Sequence, residues 1–302
     1  MNVLITGAAG FLGYNATEYF VKKGHLVAAV GLIESAFQKP FWWPELWAEK
    51  KVTTENIEPI LEKFSPELVI HCAGGSSVAF SIENPQEDKK RTVDSTRDLC
   101  EVLLKLAPKA TIVYPSSASV YGNCKTSPIS ESAPIQPASP YGEHKFQAEE
   151  ILRSFSTKGL SSIVFRIFSL YGPGLKKQIF FDACQKLTNN NPKFSGTGNE
   201  KRDFVHIKDF LELVAIAVDK KKSSFEVFNV GSGTGTSVKE LVTRIAHHLG
   251  SKLTPEFDST VRKGDPISYV SENKAAFSLG WQPKIILEGG IQEYVEWYKK
   301  NT

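Results

Sequence analysis

The chain has 302 residues, of which 41% are hydrophobic and 23% charged, and its formal net charge is +3. This composition is ordinary for a globular protein of one large or two modest domains. So small a charge gives no reason to expect nucleic acid as a partner, although it suits an anionic substrate. No apolar run approaches the ~20 residues that cross a bilayer, so no membrane partner is expected. The four cysteines lie far apart without a C-x-x-C pair, which indicates neither a disulfide framework nor a metal site and is typical of a cytoplasmic protein. These are Cys72, Cys100, Cys124 and Cys184.

The chain begins with a short apolar run, residues 3–5, which predicts a buried strand ending at Thr6. Three glycines follow at intervals of three, and residues 14–23 then carry apolar side chains at helical spacing. A glycine turn between a strand and a helix lets a pyrophosphate approach backbone N–H groups and the positive end of the helix. We therefore predict cofactor contacts from the turn and the start of the helix. The residues are Gly7, Gly10, Phe11, Leu12 and Gly13.

The pattern Thr-Gly-x-x-Gly-x-x-Gly at residues 6–13 resembles the extended short-chain dehydrogenase/reductases, the NAD-dependent nucleotide-sugar epimerase/dehydratase family. The resemblance implies an α/β fold: a Rossmann-like doubly wound parallel sheet with a smaller C-terminal α/β substrate domain. It implies NAD or NADP as cofactor and a nucleotide-diphosphate sugar as substrate. Residues 1–165 would form most of the cofactor domain, with residues 200–235 returning to it, and residues 166–302 most of the nucleotide-sugar-binding domain.

The choice between NAD and NADP is made at the end of the second predicted strand, residues 24–30. An acidic residue there binds the ribose hydroxyls of NAD, whereas a nearby arginine accepts the 2′-phosphate of NADP. The segment 31–33, Gly-Leu-Ile, carries neither group. Glu34 could substitute from slightly further on or be a solvated loop residue, so the sequence leaves the cofactor's phosphate state open.

Residues 37–51 are rich in aromatic residues and proline, which predicts a loop packed by its own side chains. Trp42, Trp43 and Trp47 could stack on an adenine or form a partner surface. The composition favours a third interpretation, a local hydrophobic cluster.

Small residues follow the next predicted strand, residues 67–71, where a ligand can approach the backbone closely. Cys72, Ala73 and Gly74 resemble the family's turn beside the cofactor pyrophosphate. Ser77 either lines the sugar site or caps the next element. Beyond it, residues 92–106 predict one long helix, and Thr92 stands where relatives generally carry asparagine.

Tyr141 and Lys145 are four residues apart in a predicted helix and therefore lie on one face. A neighbouring ammonium, with the positive nicotinamide ring, is expected to favour the phenolate and make Tyr141 an acid/base. The resemblance implies a catalytic Ser/Tyr/Lys set, in which Lys145 also holds the nicotinamide ribose. The catalytic hydroxyl maps to Ser117, with Ser116 as the rival.

The residues after Ser117 bear on the reaction. The family's 4,6-dehydratases carry Asp-Glu there, whereas this chain has Ala118-Ser119, which argues against dehydration. The remaining pattern favours an NAD(P)-dependent 4-epimerase that oxidises and re-reduces C4 of the sugar. An NAD(P)H-dependent 4-keto-6-deoxyhexose 4-reductase is the alternative, and a non-catalytic nucleotide-sensing or scaffold protein is a second one.

The resemblance also implies substrate contacts in the C-terminal part of the chain. Ser169 stands at the family's nucleotide-contacting asparagine, and Arg202 and Arg262 stand at two arginines that reach the substrate pyrophosphate. Guanidinium groups suit phosphate oxygens in both charge and geometry. A homodimer is expected through the helix that bears Tyr141 and the preceding long helix.

Overall fold

The computed structural model describes residues 1–32, 40, 42–260 and 268–302. The predicted sites Glu34 and Arg262 lie outside these residues. The chain forms two compact units. The first contains residues 1–121, 137–166 and 214–228, and the second contains residues 122–136, 167–213 and 229–302. Within the described part of the chain, no helix has the length and apolar character that spanning a membrane requires.

Strands and helices alternate along most of the chain. The strands are β1 (Asn2–Thr6), β2 (Leu26–Val30), β3 (Leu46–Ala48), β4 (Leu68–His71), β5 (Thr111–Ser117), β6 (Ser161–Ile167), β7 (Ser169–Tyr171), β8 (Lys193–Phe194), β9 (Lys201–His206), β10 (Phe225–Val230), β11 (Gly235–Ser237), β12 (Glu256–Phe257) and β13 (Ser268–Tyr269). The α-helices are α1 (Phe11–Lys22), α2 (Thr54–Leu61), α3 (Val78–Glu83), α4 (Pro85–Lys89), α5 (Ser95–Leu106), α6 (Pro140–Ser156), α7 (Gln178–Thr188), α8 (Ile207–Asp219), α9 (Val238–Leu249), α10 (Lys274–Ser278) and α11 (Leu287–Asn301).

The central sheet has seven strands in the order β10-β6-β5-β4-β1-β2-β3. β1 pairs in parallel with both of its neighbours, so that Thr6 lies opposite Val30 on β2 and His71 on β4. The connections run outward in opposite directions on the two sides of β1, which is the order of a doubly wound fold and confirms the predicted class. The carboxyl ends of β1, β2 and β4 therefore meet at one edge of the sheet, where such folds bind ligands.

Apolar residues of the sheet pack against helices that the same pattern predicts to be amphipathic. Leu4 on β1, Ile57 on α2, Leu99 on α5 and Leu152 on α6 belong to one core cluster, and each is fully excluded from solvent. Because every CH₂ group buried in this way contributes about 0.8 kcal/mol, this core holds α5 and α6 firmly in place. The helix that carries Tyr141 thus rests on a rigid support.

The helix predicted over residues 92–106 begins earlier than expected. Pro85 takes the first helical position of α4, where its missing N–H costs nothing. A π-helical turn, Lys90–Asp94, joins α4 to α5 and buries Thr92. The prediction failed at this boundary because the sequence pattern from residue 85 to 91 is polar, and the turn's burial depends on tertiary contacts.

The predicted loop over residues 37–51 is wrong at β3, which pairs in parallel with β2. Three residues are too few for a strand pattern to show in the sequence. The favoured hydrophobic cluster is present: the Trp43 ring lies 5.8 Å from Tyr14, 5.8 Å from Trp42 and 5.2 Å from Trp47, measured between centroids. The tryptophans thus pack on one another and on α1.

The second unit is organised around β9, which pairs with β11 on one side, with β13 on the other and with β7 at its end. Asp203 on β9 is fully buried. Its carboxylate accepts hydrogen bonds from the backbone N–H groups of Ser232, Gly233 and Ser271. Asp203 is therefore a structural centre that fixes two loops against β9.

Candidate active site

The glycine turn after β1 is shaped by close backbone approaches. Gly7 has φ of +64°, and a Cβ there would lie 2.6 Å from the backbone nitrogen of Ala73. A Cβ on Gly13 would lie 2.2 Å from the carbonyl oxygen of Gly7. Only glycine fits at either position. The structure thereby brings the predicted cofactor residues of the turn together with Cys72 and Ala73 at the end of β4.

The start of α1 is open for an anionic ligand. Gly10 is the N-cap and offers no side-chain hydrogen bond to the helix. Among the described residues, a Cβ on Gly10 would meet only the Gly7 carbonyl oxygen, at 3.3 Å. The first N–H groups of α1, which include those of Phe11, Leu12 and Gly13, have no acceptor within the helix. Backbone donors without an acceptor at the positive end of a 12-residue helix fit the pyrophosphate of a dinucleotide.

A buried histidine fixes the end of β4 against β1. His71 Nδ1 lies 2.7 Å from Thr6 Oγ1, and its Nε2 lies 3.1 Å from Thr96 Oγ1. The same Thr6 oxygen accepts a hydrogen bond from the Ala73 N–H, at 3.2 Å. Burial, with a smaller effect of the Lys145 charge, lowers the pKa of His71 to about 3. His71 is therefore a neutral structural link that positions the turn.

The two serines at the end of β5 have different partners. Ser116 is buried, and its hydroxyl donates a hydrogen bond to Glu149 Oε1 at 2.5 Å. Ser117 accepts a hydrogen bond from the Ser119 N–H at 3.2 Å, and its side chain acts on Tyr141 so as to lower the pKa of the phenol. Because the Ser116 hydroxyl is already bonded to Glu149, the geometry favours Ser117 over Ser116 as the catalytic hydroxyl beside Tyr141.

Lys145 lies beneath this pair, one turn further along α6. Ser139 caps the helix by accepting a hydrogen bond from the Gly142 N–H, and Pro140 takes the first position. The Lys145 ammonium lies 5.9 Å from the centroid of the Tyr141 ring and donates a hydrogen bond to the carbonyl of Pro115 at 3.0 Å. The predicted set of Ser117, Tyr141 and Lys145 is therefore assembled in one place.

The expected lowering of the Tyr141 pKa by Lys145 is wrong for the protein itself. Desolvation by the surrounding protein raises the pKa of Tyr141 to about 12. The hydrogen bond from Ser117 acts in the opposite direction, and the negative charge of Asp88 raises the pKa further. Tyr141 is thus held as a phenol, because desolvation and a nearby carboxylate outweigh the hydrogen bond.

Three polar residues lie beside this set, of which sequence reasoning singled out Thr92 by its resemblance to a family asparagine and missed His144 and Asp88. His144, on α6 between Tyr141 and Lys145, has its Nδ1 2.6 Å from Asp88 Oδ2. Thr92 accepts a hydrogen bond from the Gly75 N–H at 2.8 Å, so it supports the turn after β4. For the two missed residues the available signal was helical spacing, since His144 is three residues after Tyr141 and Asp88 is four residues before Thr92.

A second buried acid anchors the middle of α6. Glu149 accepts hydrogen bonds from Arg166 Nε at 3.1 Å and from Nη2 at 2.8 Å. Arg166 also donates to the Tyr121 hydroxyl at 3.1 Å. This forked pair joins α6 to β6 and balances the buried charge.

The residues predicted to bind substrate lie on different elements and have different hydrogen-bond partners. Ser77 caps α3 by accepting a hydrogen bond from the Phe80 N–H, and its contact with a sugar stays a prediction. In the second unit, Ser169 on β7 is paired with Phe204 on β9, two residues from Arg202. The Arg202 guanidinium donates to the Lys201 carbonyl and lies 5.9 Å from the Tyr269 ring centroid. Ser169 and Arg202 are thus on adjacent strands.

Comparison with known proteins agrees with this arrangement. The chain is 30% identical to the UDP-glucose 4-epimerase of Mycolicibacterium smegmatis, with 100% of both chains covered. The UDP-glucose 4-epimerase of Thermotoga maritima, solved with UDP-glucose, has a TM-score of 0.91 and is 29% identical, with 99% of each chain covered. MoeE5, solved with UDP-glucuronic acid and NAD, has a TM-score of 0.90 and is 28% identical, with 100% of each covered.

A family model matches residues 3–231, which include the glycine turn, Ser117, Tyr141 and Lys145. This range is well over half of the chain. The chain belongs to the NAD dependent epimerase/dehydratase family.

Proposed function

We propose that this protein is an NAD-dependent 4-epimerase of UDP-sugars. The observation that carries the proposal is the assembly of Ser117 at the end of β5 with Tyr141 and the buried ammonium of Lys145 on the first turns of α6. A hydroxyl pair of this kind can bind one sugar oxygen and move its proton. The names of the relatives, two of which are UDP-glucose 4-epimerases, support the nucleotide and the carbon atom at which the reaction occurs.

In the proposed reaction, Tyr141 takes the proton of the sugar 4-hydroxyl and later returns one to the same oxygen. Ser117 donates a hydrogen bond to that oxygen as its charge changes. Because burial raises the pKa of Tyr141 to about 12, the phenol needs a positive neighbour to ionise near neutral pH. Lys145, whose ammonium lies 5.9 Å from the centroid of the Tyr141 ring, does not by itself offset the burial, so the positive nicotinamide ring of a bound NAD would have to add to its charge.

The residues that would hold the cofactor fit a dinucleotide. Gly7, Gly10 and the first N–H groups of α1 would bind the pyrophosphate, the turn from Cys72 to Gly74 would border it, and Lys145 would hold the nicotinamide ribose. NAD supplies a nicotinamide ring that accepts a hydride from C4 and gives it back. NAD rather than NADP is favoured by the family and by the NAD in the MoeE5 structure.

We propose that the nucleotide diphosphate of the substrate is contacted by Ser169, Arg202 and Arg262. Ser77 would contribute next to the sugar. We also propose a homodimer formed through α5 and α6, as the resemblance implies.

One observation favours a 4-keto reductase instead. The end of β2 continues into Gly31 and Leu32, and neither of these two residues carries a carboxylate for the adenosine ribose. Loose cofactor binding would suit an enzyme that exchanges NAD(P)H at each turnover. Dehydration is disfavoured because Ala118 and Ser119 supply no acid or base for removing water.

The test is to incubate the protein with NAD and, separately, UDP-glucose, UDP-glucuronate and UDP-N-acetylglucosamine, and to look for the C4 epimer by NMR. One of these should be converted. The Y141F variant, which lacks only the phenolic hydroxyl, should lose about 10²–10⁴-fold in rate while nucleotide binding is largely kept. Unchanged turnover in Y141F would refute the catalytic assignment of Tyr141. The matched control is Y114F, which removes the hydroxyl of a buried tyrosine that is not one of the three predicted catalytic residues.

A further inference from the structure

The segment that carries Ser117 leaves β5 and enters a short 3₁₀ turn, Ala118–Tyr121. Ser117 is the last residue of β5, and its hydroxyl accepts a hydrogen bond from the Ser119 N–H at 3.2 Å. This bond lies within the segment and does not fix Ser117 relative to α6, the catalytic helix that carries Tyr141. The position of Ser117 on that helix therefore depends on contacts that its neighbours in the chain make.

The residue before Ser117 is bonded to the catalytic helix. Ser116 donates a hydrogen bond to Glu149 Oε1 at 2.5 Å. Glu149 is four residues after Lys145, and residues at this spacing share one face of a helix. A hydrogen bond to a carboxylate is about twice as strong as one between neutral groups. The end of β5 is thus held on the catalytic helix immediately before Ser117.

The residue at the far end of the turn is bonded to the same acid through Arg166. The Tyr121 hydroxyl accepts a hydrogen bond from Arg166 Nη1 at 3.1 Å, and the guanidinium carbon lies 5.0 Å from the centroid of the Tyr121 ring. Arg166 in turn donates to Glu149 Oε2 from Nε at 3.1 Å and from Nη2 at 2.8 Å. Both ends of the segment that contains Ser117 therefore meet at one ion pair.

The four side chains of this network are buried, and none is more than 4% exposed. They are Ser116, Tyr121, Glu149 and Arg166. Any displacement of one member would leave a charge or a polar atom unpaired away from water, which is costly. The ion pair is therefore a rigid reference point for the residues bonded to it.

A close backbone approach fixes the middle of the segment beside Tyr141. A Cβ on Gly142, the residue after Tyr141, would lie 2.6 Å from the carbonyl oxygen of Ser119. The 3₁₀ turn thus lies against the first turn of the catalytic helix with no room for a methyl group. Ser117 is held before it, after it and beside Tyr141.

We propose that Ser116, Tyr121, Glu149 and Arg166 are positioning residues for Ser117. They hold the two ends of the segment 116–121 on the catalytic helix, so that the catalytic hydroxyl faces Tyr141, and they act on the reaction only through Ser117. An error of about 1 Å in the position of a reacting group can lower a rate about 10²-fold. This role rests on the proposed function of Ser117 as the hydroxyl that binds the sugar oxygen.

Two variants test the network from its two ends. S116A removes the bond before Ser117, and Y121F removes the hydroxyl bond after it while keeping the ring. The matched controls are S95A, which removes the hydroxyl of a buried serine on α5, and Y114F, whose lost hydroxyl has no hydrogen-bond partner among the described residues. Each change is made in the wild type and in S117A, and kcat, KM for UDP-glucose and the dissociation constant for NAD are measured.

We expect S116A and Y121F to lower kcat about tenfold in the wild type. In S117A, where the catalytic hydroxyl is already gone, the same changes should alter kcat less than about twofold, because residues that act as a unit are not additive. KM for UDP-glucose and the dissociation constant for NAD should stay near the wild-type values, and S95A and Y114F should change none of the three. Equal losses of kcat in the two backgrounds would overturn the inference, since the bonds would then serve stability alone.

Crystal structures of the wild type, the two variants and the two controls test the same point without turnover. In S116A and Y121F, Ser117 Oγ should move away from the Tyr141 hydroxyl by more than about 0.5 Å, and it should not move in the controls. An unmoved Ser117 in both variants would overturn the inference. If S116A does not fold, Y121F makes the comparison from the other end of the segment.

The two proposals fail in different ways. A wild-type protein that converts no UDP-sugar would refute the proposed function, while the crystal structures would still decide whether the Ser116 and Tyr121 bonds place Ser117.

Discussion

Two buried acids, Glu149 on the catalytic helix and Asp88 beside it, differ in how their charges are matched. The Oε2 atom of Glu149 accepts hydrogen bonds from Arg166 Nε at 3.1 Å and Nη2 at 2.8 Å, and its Oε1 accepts one from Arg166 Nε at 3.3 Å and one from the Ser116 hydroxyl. Asp88 has His144 on one oxygen and, among the described residues, no partner on the other. Of the two acids, only Asp88 is among the groups that raise the pKa of Tyr141. Toward Tyr141 the matched acid serves only as an anchor of the helix, whereas the half-matched acid also acts electrostatically.

The largest effect on stability is expected when the ion pair between Glu149 and Arg166 is broken. The R166M variant would leave the Glu149 carboxylate buried and unpaired, and the free energy of unfolding should fall by about 3–5 kcal/mol. Urea denaturation followed by circular dichroism measures this loss. The double variant R166M/E149L removes both charges and should recover most of it. A loss in R166M below about 1 kcal/mol would show that Glu149 is not a charge-dependent anchor.

A smaller loss of stability is expected when a larger residue is placed against Asp88. In G75A the new Cβ would collide with Asp88 Oδ1, and overpacking of this kind costs about 1–3 kcal/mol. The D88A/G75A double variant should lose much less stability than the two single changes added together. G289A is the control, because a Cβ there has its nearest neighbour at 3.9 Å. Additive losses, measured by urea denaturation, would mean that Asp88 does not press on Gly75.

The smallest effect is expected from a variant that disturbs the position of Tyr141 without changing any charge. S81A removes the acceptor of the Tyr141 N–H, and an unpaired backbone donor costs about 1 kcal/mol. Its kcat should fall, but the pH profile of kcat should stay where it is in the wild type because no charge is lost. S154A, which removes an exposed serine hydroxyl from α6, should change neither. A shifted pH profile in S81A would contradict the separate roles of Ser81 and Asp88.

Those features of the site that depend on local spacing could be predicted from the sequence. The glycine turn could be recognised because strand, turn and helix follow one another within 23 residues, and Tyr141 and Lys145 because one helical turn separates them. The doubly wound order follows from the alternation of strands and helices. In each case the physical cause lies in the neighbouring sequence.

Contacts between distant residues could not be predicted in this way. Asp88 and His144 are 56 residues apart in the chain and meet only because α4 packs on α6. The high pKa of Tyr141 has the same origin, since desolvation depends on the whole environment and not on Lys145 alone. The pairing of β3 with β2 was missed because three residues carry too little pattern to identify a strand.

The proposed epimerase reaction is tested most directly with UDP-glucose deuterated at C4. The protein is incubated with this substrate and NAD, and the product is analysed by NMR. Oxidation and re-reduction at C4 predict UDP-galactose that keeps the deuterium on C4, because the label leaves and returns within one active site. UDP-galactose without the label, a dehydrated product with deuterium at another carbon, or no product from any UDP-sugar would contradict the proposed function.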